Sequence, residues 1–166
     1  MATSPVNNLK SQIGAKKSIG YPVDPSGSAE FNAGDMVCYV GGYLQAATDV
    51  TTTWYSNNFV GVAQNSSYLS IYTDATGAVV KERPVSVEVL IGQVHEMKTT
   101  LANSTLTHGT ALYIGADAQT VTKTKPDNSS QLCGYVYYPK GGTLTLAAGT
   151  TVDVLIIPYL PTPYIA

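Results

Sequence analysis

The sequence predicts an all-β fold, a small β-barrel or sandwich built from a strand motif that occurs twice. The first observation is the repeat itself, since three short apolar segments of the first half recur in the same order in the second half. The second observation is that short apolar segments alternate with turn residues along most of the chain. The third is that no segment shows the periodicity of a long helix. A repeat of this length indicates one supersecondary unit used twice.

The repeated segments keep nearly constant offsets of about 75, 73 and 65 residues, which indicates that only the loops differ in length. Each copy opens with a glycine turn, continues with a Gly-centred apolar segment and closes with an alternating apolar segment. The paired segments are residues 34–40 with 109–114, 59–63 with 132–136, and 85–91 with 151–156.

The strands of the first half follow from turn residues and alternation. Gly41 and Gly42 predict a tight turn between strands at residues 35–40 and 43–47, followed by strands at 59–64 and 67–73. Pro84 opens a predicted strand over residues 85–94. On it, Val85, Val87, Val89 and Ile91 share one face, while Ser86, Glu88 and Leu90 share the other.

The second half predicts strands at residues 110–114, 120–124, 132–138 and 150–157. Glu88 and Asp153 occupy equivalent positions in the two copies, so we interpret them as outward-facing strand residues and not as a catalytic pair. Together the two copies define a duplicated β-barrel domain over residues 33–158.

The two ends differ from this body. Residues 1–32 are predicted to form an extended arm, because Gly20, Pro22, Pro25 and Gly27 argue against regular structure. The helical signal there is a brief turn over residues 8–15. The arm is either a loose terminus or a segment that orders on a partner. Residues 159–166 are a proline-spaced extended tail that lies along a surface or a neighbour.

Composition favours a surface that contacts other proteins. Charged residues make up 12% of the chain, which is about half their usual share. The formal net charge is −2. The chain has twelve Tyr, which suit interfaces because the ring buries area while the hydroxyl stays wettable. Basic residues cluster weakly, at Lys10, Lys16 and Lys17, which argues against a nucleic-acid partner. The apolar segments are too short to span a bilayer.

Residues that could act in catalysis or bind a metal ion are few and scattered. Cys38 and Cys133 lie in apolar strands, so we expect two buried thiols, with a disulfide between them as the alternative. His95 and Glu96 are adjacent on a strand and therefore point to opposite faces, and we interpret His95 and His108 as surface or turn residues. We expect no metal, no cofactor and no enzymatic activity. The first residues lack a secretory pattern, so we expect synthesis in a cytoplasm.

The order of these segments resembles the capsid decoration, or cement, proteins of tailed bacteriophages. The similarity covers roughly residues 33–158, and Thr110 stands where many relatives carry Asp. The matching elements are the Gly34-Asp35 turn with residues 37–40, the strand at 59–63, the strand at 85–94, residues 108–114, residues 133–136 and the closing strand at 152–156.

The resemblance implies a β-barrel or β-tulip-like domain that forms a homotrimer on the outer surface of a virion. Such a protein binds the major capsid protein and stabilises the expanded head, which is assembled in a bacterial host. We expect the two ends to supply the contacts, with Lys10, Lys16 and Lys17 pairing with acidic capsid surface for about 0–1 kcal/mol each. The expected interface residues are Leu9, Lys10, Ile13, Lys16, Lys17, Ile19 and Tyr21 of the arm and Tyr159, Leu160, Tyr164 and Ile165 of the tail.

Two alternatives remain open at this stage. The first is a carbohydrate-binding module of a virion fibre or head protein, in which Trp54 and Tyr55 would form the sugar platform. The second is a hydrolase that uses two carboxylates facing each other across strands.

Overall fold

The computed structural model describes residues 8–11, 17–47, 59–99, 103–115, 117–124 and 132–157. These residues form strands and turns without helices, so the predicted all-β class is confirmed. The strands in chain order are β1 (Asn8–Ser11), β2 (Lys17–Pro22), β3 (Met36–Val40), β4 (Tyr43–Ala46), β5 (Phe59–Ala63), β6 (Ser70–Thr73), β7 (Val79–Glu82), β8 (Ser86–Ile91), β9 (Val94–Thr99), β10 (Asn103–Leu106), β11 (Ala111–Ile114), β12 (Thr120–Thr122), β13 (Leu132–Val136), β14 (Leu144–Leu146) and β15 (Thr151–Ile156).

The second half of the chain forms a closed five-stranded barrel. Its strands neighbour one another in the order β9-β15-β13-β11-β12, and β12 then pairs with β9 in parallel to complete the ring. The other pairings in the ring are antiparallel. Closure removes the free edges of the sheet. β1 pairs with the part of the β9 edge that the short β12 does not reach.

The first half repeats this strand order without closing. Its sheet runs β2-β8-β5-β3-β4, and these strands correspond in turn to β9, β15, β13, β11 and β12. The repeated unit therefore has five strands, two more than the sequence analysis predicted, and we call the two copies the first unit and the second unit. The ribbon of β6 and β7 is inserted in the first unit, and the β10–β14 pair in the second.

The pairing register repeats residue by residue. In the first unit Gly61 lies opposite Val37, and the ladder then shifts at a β-bulge. In the second unit Gly134 lies opposite Leu112, and the ladder shifts at the same place. The predicted duplication is therefore present in three dimensions, with the offsets of 75 and 73 residues that the sequence predicts (112 − 37 and 134 − 61).

The two central glycines are required by the same close approach. A Cβ atom at Gly61 would collide with the backbone carbonyl oxygen of Leu90, and one at Gly134 would collide with that of Leu155. Leu90 and Leu155 are themselves equivalent residues of β8 and β15. Any side chain at either glycine would push neighbouring strands apart.

The opening turns of the two units share their hydrogen bonds although one uses Asp and the other Thr. The Asn32 N–H donates to Asp35 Oδ2 at 2.7 Å, and the Thr107 N–H donates to Thr110 Oγ1 at 3.0 Å. In each turn the glycine just before the capping residue donates its N–H to the next sheet strand, at 2.8 Å and 2.9 Å. Thr110 therefore has the same role in its turn as Asp35, because a hydroxyl and a carboxylate can each accept a hydrogen bond from a backbone N–H.

Residues 17–22 correct the prediction of an irregular arm. They form β2, which pairs with β8 along its whole length. β2 corresponds to β9, because Ile19 pairs with Val89 and His95 pairs with the equivalent Val154, which gives an offset of 76 residues (95 − 19). Pro22 is tolerated because it ends an edge strand and its nitrogen faces away from β8. The helical turn predicted over residues 8–15 is wrong at Asn8–Ser11, which forms β1.

The predicted strand over residues 85–94 is two strands. Gly92 adopts a φ of +65°, so β8 ends at Ile91 and the chain passes into the second unit, where β9 begins. The predicted face is confirmed for Val87 and Val89, which are buried, but Val85 is 90% exposed and Leu90 is fully buried. Val85 precedes the first residue of β8, and Leu90 lies opposite Val62, which packs into the second core, so this face of the strand is buried as well.

Two apolar cores correspond to the two units. Six buried positions inside the first unit have buried equivalents inside the second: Val37 and Leu112, Leu44 and Val121, Val60 and Cys133, Ala63 and Val136, Val87 and Val152, and Val89 and Val154. The opposite face of the first sheet, with Met36, Cys38, Phe59 and Val62, packs into the second core. β5 is therefore buried on both faces, which explains its unbroken apolar sequence.

Candidate interaction surfaces

The edge between β2 and β4, which we call the seam, is where the first unit fails to close. Cα atoms of the two strands approach within 8 Å, yet the strands form no ladder. In the second unit the equivalent strands pair through Lys98 and Thr120. Pro22 stands at the position of Lys98, and its missing N–H provides a physical reason for the open seam.

The direction of the backbone groups supports this reason. The N–H of Thr99 donates to Thr150 on the β15 side at 2.8 Å, and the N–H of the equivalent Val23 donates to Val85 at 3.1 Å. Successive N–H groups of a strand point to opposite sides. The N–H of Lys98 therefore points toward β12, whereas Pro22 has no N–H to offer β4.

The open seam exposes side chains whose equivalents are buried in the closed barrel. Ile19 is 42% exposed, whereas the equivalent His95 is 1% exposed. Tyr39 is 37% exposed, whereas the equivalent Ile114 is 2% exposed. The Tyr21 ring lies beside the Tyr39 ring, with centroids 5.4 Å apart. Burial raises the pKa of the Tyr21 hydroxyl, and the neighbouring Tyr39 raises it further. The seam is therefore an apolar and aromatic surface.

The ribbon of β6 and β7 is a second exposed apolar surface. All four residues of β6 are exposed, and the exposed large apolar side chains of the ribbon and its approach are Leu69, Ile71, Tyr72 and Val79. A two-stranded ribbon cannot bury both of its faces without a partner. A strand over residues 67–73 is predicted from the sequence, but the sequence alone does not connect it to an interface.

Three of the arm residues predicted from sequence lie on one strand of the first unit. Lys17, Ile19 and Tyr21 belong to β2, and the Tyr21 ring lies beside Tyr39 at the seam. Leu9 and Lys10 belong to β1, on the edge of the second unit. The remaining predicted interface residues lie outside the described ranges: Ile13, Lys16, Tyr159, Leu160, Tyr164 and Ile165. Trp54 and Tyr55, the candidates for a sugar platform, also lie outside them.

A charged cluster borders the ribbon. Glu30 contacts Lys81 at 2.6 Å and Arg83 at 2.9 Å. These two cations hold the pKa of the Glu30 carboxyl below its usual value, mainly through the hydrogen bond from Lys81. The Lys81 ammonium also lies 5.5 Å from the centroid of the Tyr68 ring. This cluster joins residues far apart in the chain, and no spacing signal in the sequence predicts it.

His95 lies inside the closed barrel, so its interpretation as a surface or turn residue is wrong. Neither ring nitrogen has a hydrogen-bond partner among the described residues, and burial lowers the pKa of the imidazole to about 4. His108 is exposed, and its Nδ1 accepts the Tyr138 N–H at 3.0 Å. Glu96, next to His95, faces outward and accepts a hydrogen bond from the Thr151 hydroxyl at 2.7 Å.

Both cysteines are buried and free, as the first of the two alternatives predicted. Burial raises the pKa of each thiol to about 12. Cys133 lies inside the second unit, whereas Cys38 lies between the units. Among the described residues no group of three or more His, Cys, Asp or Glu side chains is arranged to hold a metal ion.

Comparison of the sequence with protein-family models and with curated proteins finds no match to either. The described part of the chain contains no helix with the length and hydropathy needed to cross a membrane.

Proposed function

We infer that this protein is a bacteriophage capsid decoration, or cement, protein. In this proposal it binds the outside of the expanded head as a homotrimer and bridges subunits of the major capsid protein. The observation that carries the proposal is the open seam, which exposes on the first unit an apolar face that the second unit buries. An exposed apolar face beside a complete barrel of the same design indicates a surface that a partner covers.

The resemblance of residues 33–158 to cement proteins supports the major capsid protein as the partner. Low charge supports the assignment, because a surface with 12% charged residues in the whole chain loses little solvation when it is covered. Many weak contacts, repeated over the copies on a shell, stabilise the shell without any single strong contact.

The strands β1 and β2 change how the arm is expected to work. Ile19 and Tyr21 are held by the β2–β8 ladder, so binding through them does not have to order a loose segment. Preorganised contacts of this kind lose less conformational entropy on binding. We therefore expect the seam, more than a flexible arm, to set the affinity for the shell.

The test measures occupancy of expanded shells by co-sedimentation. Because deletion of the arm would remove a strand of the first sheet, a point substitution at the seam is the cleaner perturbation. Ile19→Asp places a charge on the exposed apolar surface, and we expect it to weaken shell binding by roughly tenfold or more. Thr145→Asp, at an exposed position of β14 away from the seam and the ribbon, is the matched control and should bind like the wild type.

Thermal unfolding of both variants checks that each stays folded. The proposal fails if folded Ile19→Asp occupies shells as fully as the wild type, or if the wild type ignores shells altogether.

A further inference from the structure

A cleft of about 950 Å³ lies where the seam meets the ribbon. The larger part of its lining is apolar and comes from the end of β2 and the loop after it, the start of β4, the ribbon and the residues before β8. The apolar residues include Pro22, Pro25, Tyr43, Val79, Pro84 and Val85. We propose that this cleft binds the proline-rich tail, residues 158–166, of a second copy of this chain. The inference goes beyond shell binding and does not depend on it.

The cleft favours an uncharged ligand. Lys81 and Arg83 contribute to its lining, but both are held by the Glu30 carboxylate. Val85, which is almost fully exposed, presents an isopropyl group to the solvent. Because the cations of the cleft are already paired, burial of apolar ligand surface contributes most to the binding free energy, and a charged ligand group contributes least.

The backbone at this place favours a ligand that does not add a strand. Pro22 has no N–H, and the N–H of Val23 is bonded to Val85, so the end of β2 offers the cleft no donor at these two residues. A bound segment must therefore be held by side-chain packing. Proline-rich segments suit such a site, because they are extended, lack donors themselves and dock on apolar and aromatic grooves.

The chain itself contains a segment of this chemistry. Residues 158–166 carry three prolines, two tyrosines, a leucine and an isoleucine, with no charged side chain. Proline excludes this segment from a central strand. Its composition complements the cleft on both counts, apolar packing and neutrality.

Tether length selects the tail of a second copy over the tail of the same copy. The Gly92 N–H donates to the Ile156 carbonyl at 3.2 Å, so β15 ends beside the far end of β8. Val85 lies seven residues back along β8, about 23 Å away at roughly 3.3 Å per residue. The tail of the same copy would spend about seven residues on this path, which consumes residues 157–163 and with them all three prolines. A second copy presents them without this detour.

The experiment measures self-association of the full chain by sedimentation equilibrium, with no shells present. We expect Val85→Asp to weaken association at least tenfold, because it places a charge in the cleft. Thr145→Asp, at an exposed position of β14 in the second unit and outside the cleft lining, should associate like the wild type. An excess of a synthetic peptide of residues 158–166 should dissociate the wild type, whereas a peptide with both tyrosines replaced by serine should not.

Three results would overturn the proposal. They are a wild type that stays monomeric at all concentrations, association that Val85→Asp leaves unchanged, and a peptide that fails to displace the assembled copies. Because no capsid protein is present, these results are independent of whether the protein binds shells.

Discussion

The buried imidazole of His95 makes the free energy of unfolding depend on pH between about pH 4 and pH 6.5. Its pKa is about 4 in the folded protein, against about 6.5 in an unfolded chain. Above pH 6.5 the ring is neutral in both states and has no effect. As the pH falls from 6.5 toward 4, the unfolded chain binds a proton that the folded protein does not, so the free energy of unfolding decreases.

The size of the effect follows from the two pKa values. Each pKa unit corresponds to about 1.4 kcal/mol, so the shift costs about 2–3 kcal/mol at pH 4.5 and about 3–4 kcal/mol well below pH 4. Burial is the cause of the shift. The residue that is equivalent in the first unit is Ile19, which makes His95→Ile the natural variant without the titrating group.

Urea unfolding at pH 7.5, 6.5, 5.5 and 4.5 measures the free energy of unfolding of both proteins. We expect the wild type to lose about 2–3 kcal/mol more than His95→Ile between pH 7.5 and pH 4.5. Subtracting the variant removes the contribution of carboxylates shared by both proteins. Equal losses in the two proteins, or an NMR titration that places the His95 pKa near 6.5, would refute the buried position.

Two further predictions follow from the same geometry. Gly61→Ala and Gly134→Ala should each lower the free energy of unfolding by about 2–3 kcal/mol in chemical denaturation, because each Cβ would meet a backbone carbonyl. Gly20→Ala is the control and should not lower it, because its Cβ would have 4.0 Å of clearance. Equal effects at all three positions would contradict the close approach. Cys38 and Cys133 should resist a thiol reagent at pH 8 in the native protein and both react in concentrated guanidinium, since each thiol is buried with its pKa near 12; rapid native labelling of either would show that it is accessible.

The sequence predicts the parts of the repeat that carry similar residues. Three strands of each unit share glycine turns and alternating valines, because their side chains fill equivalent positions of a core and their central glycines meet a carbonyl. β2 and β9 were not recognisable as equivalent, since residues as different as Ile19 and His95 occupy one position. A barrel position requires a side chain that can be buried there, and that requirement leaves the residue type open.

The seam and the cleft could not be predicted for a related reason. Both depend on Pro22 standing where the second unit has Lys98, and this is visible only when the register of β2 and β9 is known. The exposure of Val85 likewise follows from its position before β8 at the cleft wall, although its alternation with Val87 and Val89 suggested burial.

We propose that the duplicated five-stranded body decorates the outside of a phage head. Electron cryo-microscopy of virions with and without the protein tests it most directly. We expect difference density on the outer surface at regular lattice positions, in which each copy shows two adjoining five-stranded units. Identical outer surfaces in the two samples, or density confined to the interior or the tail, would contradict the claim.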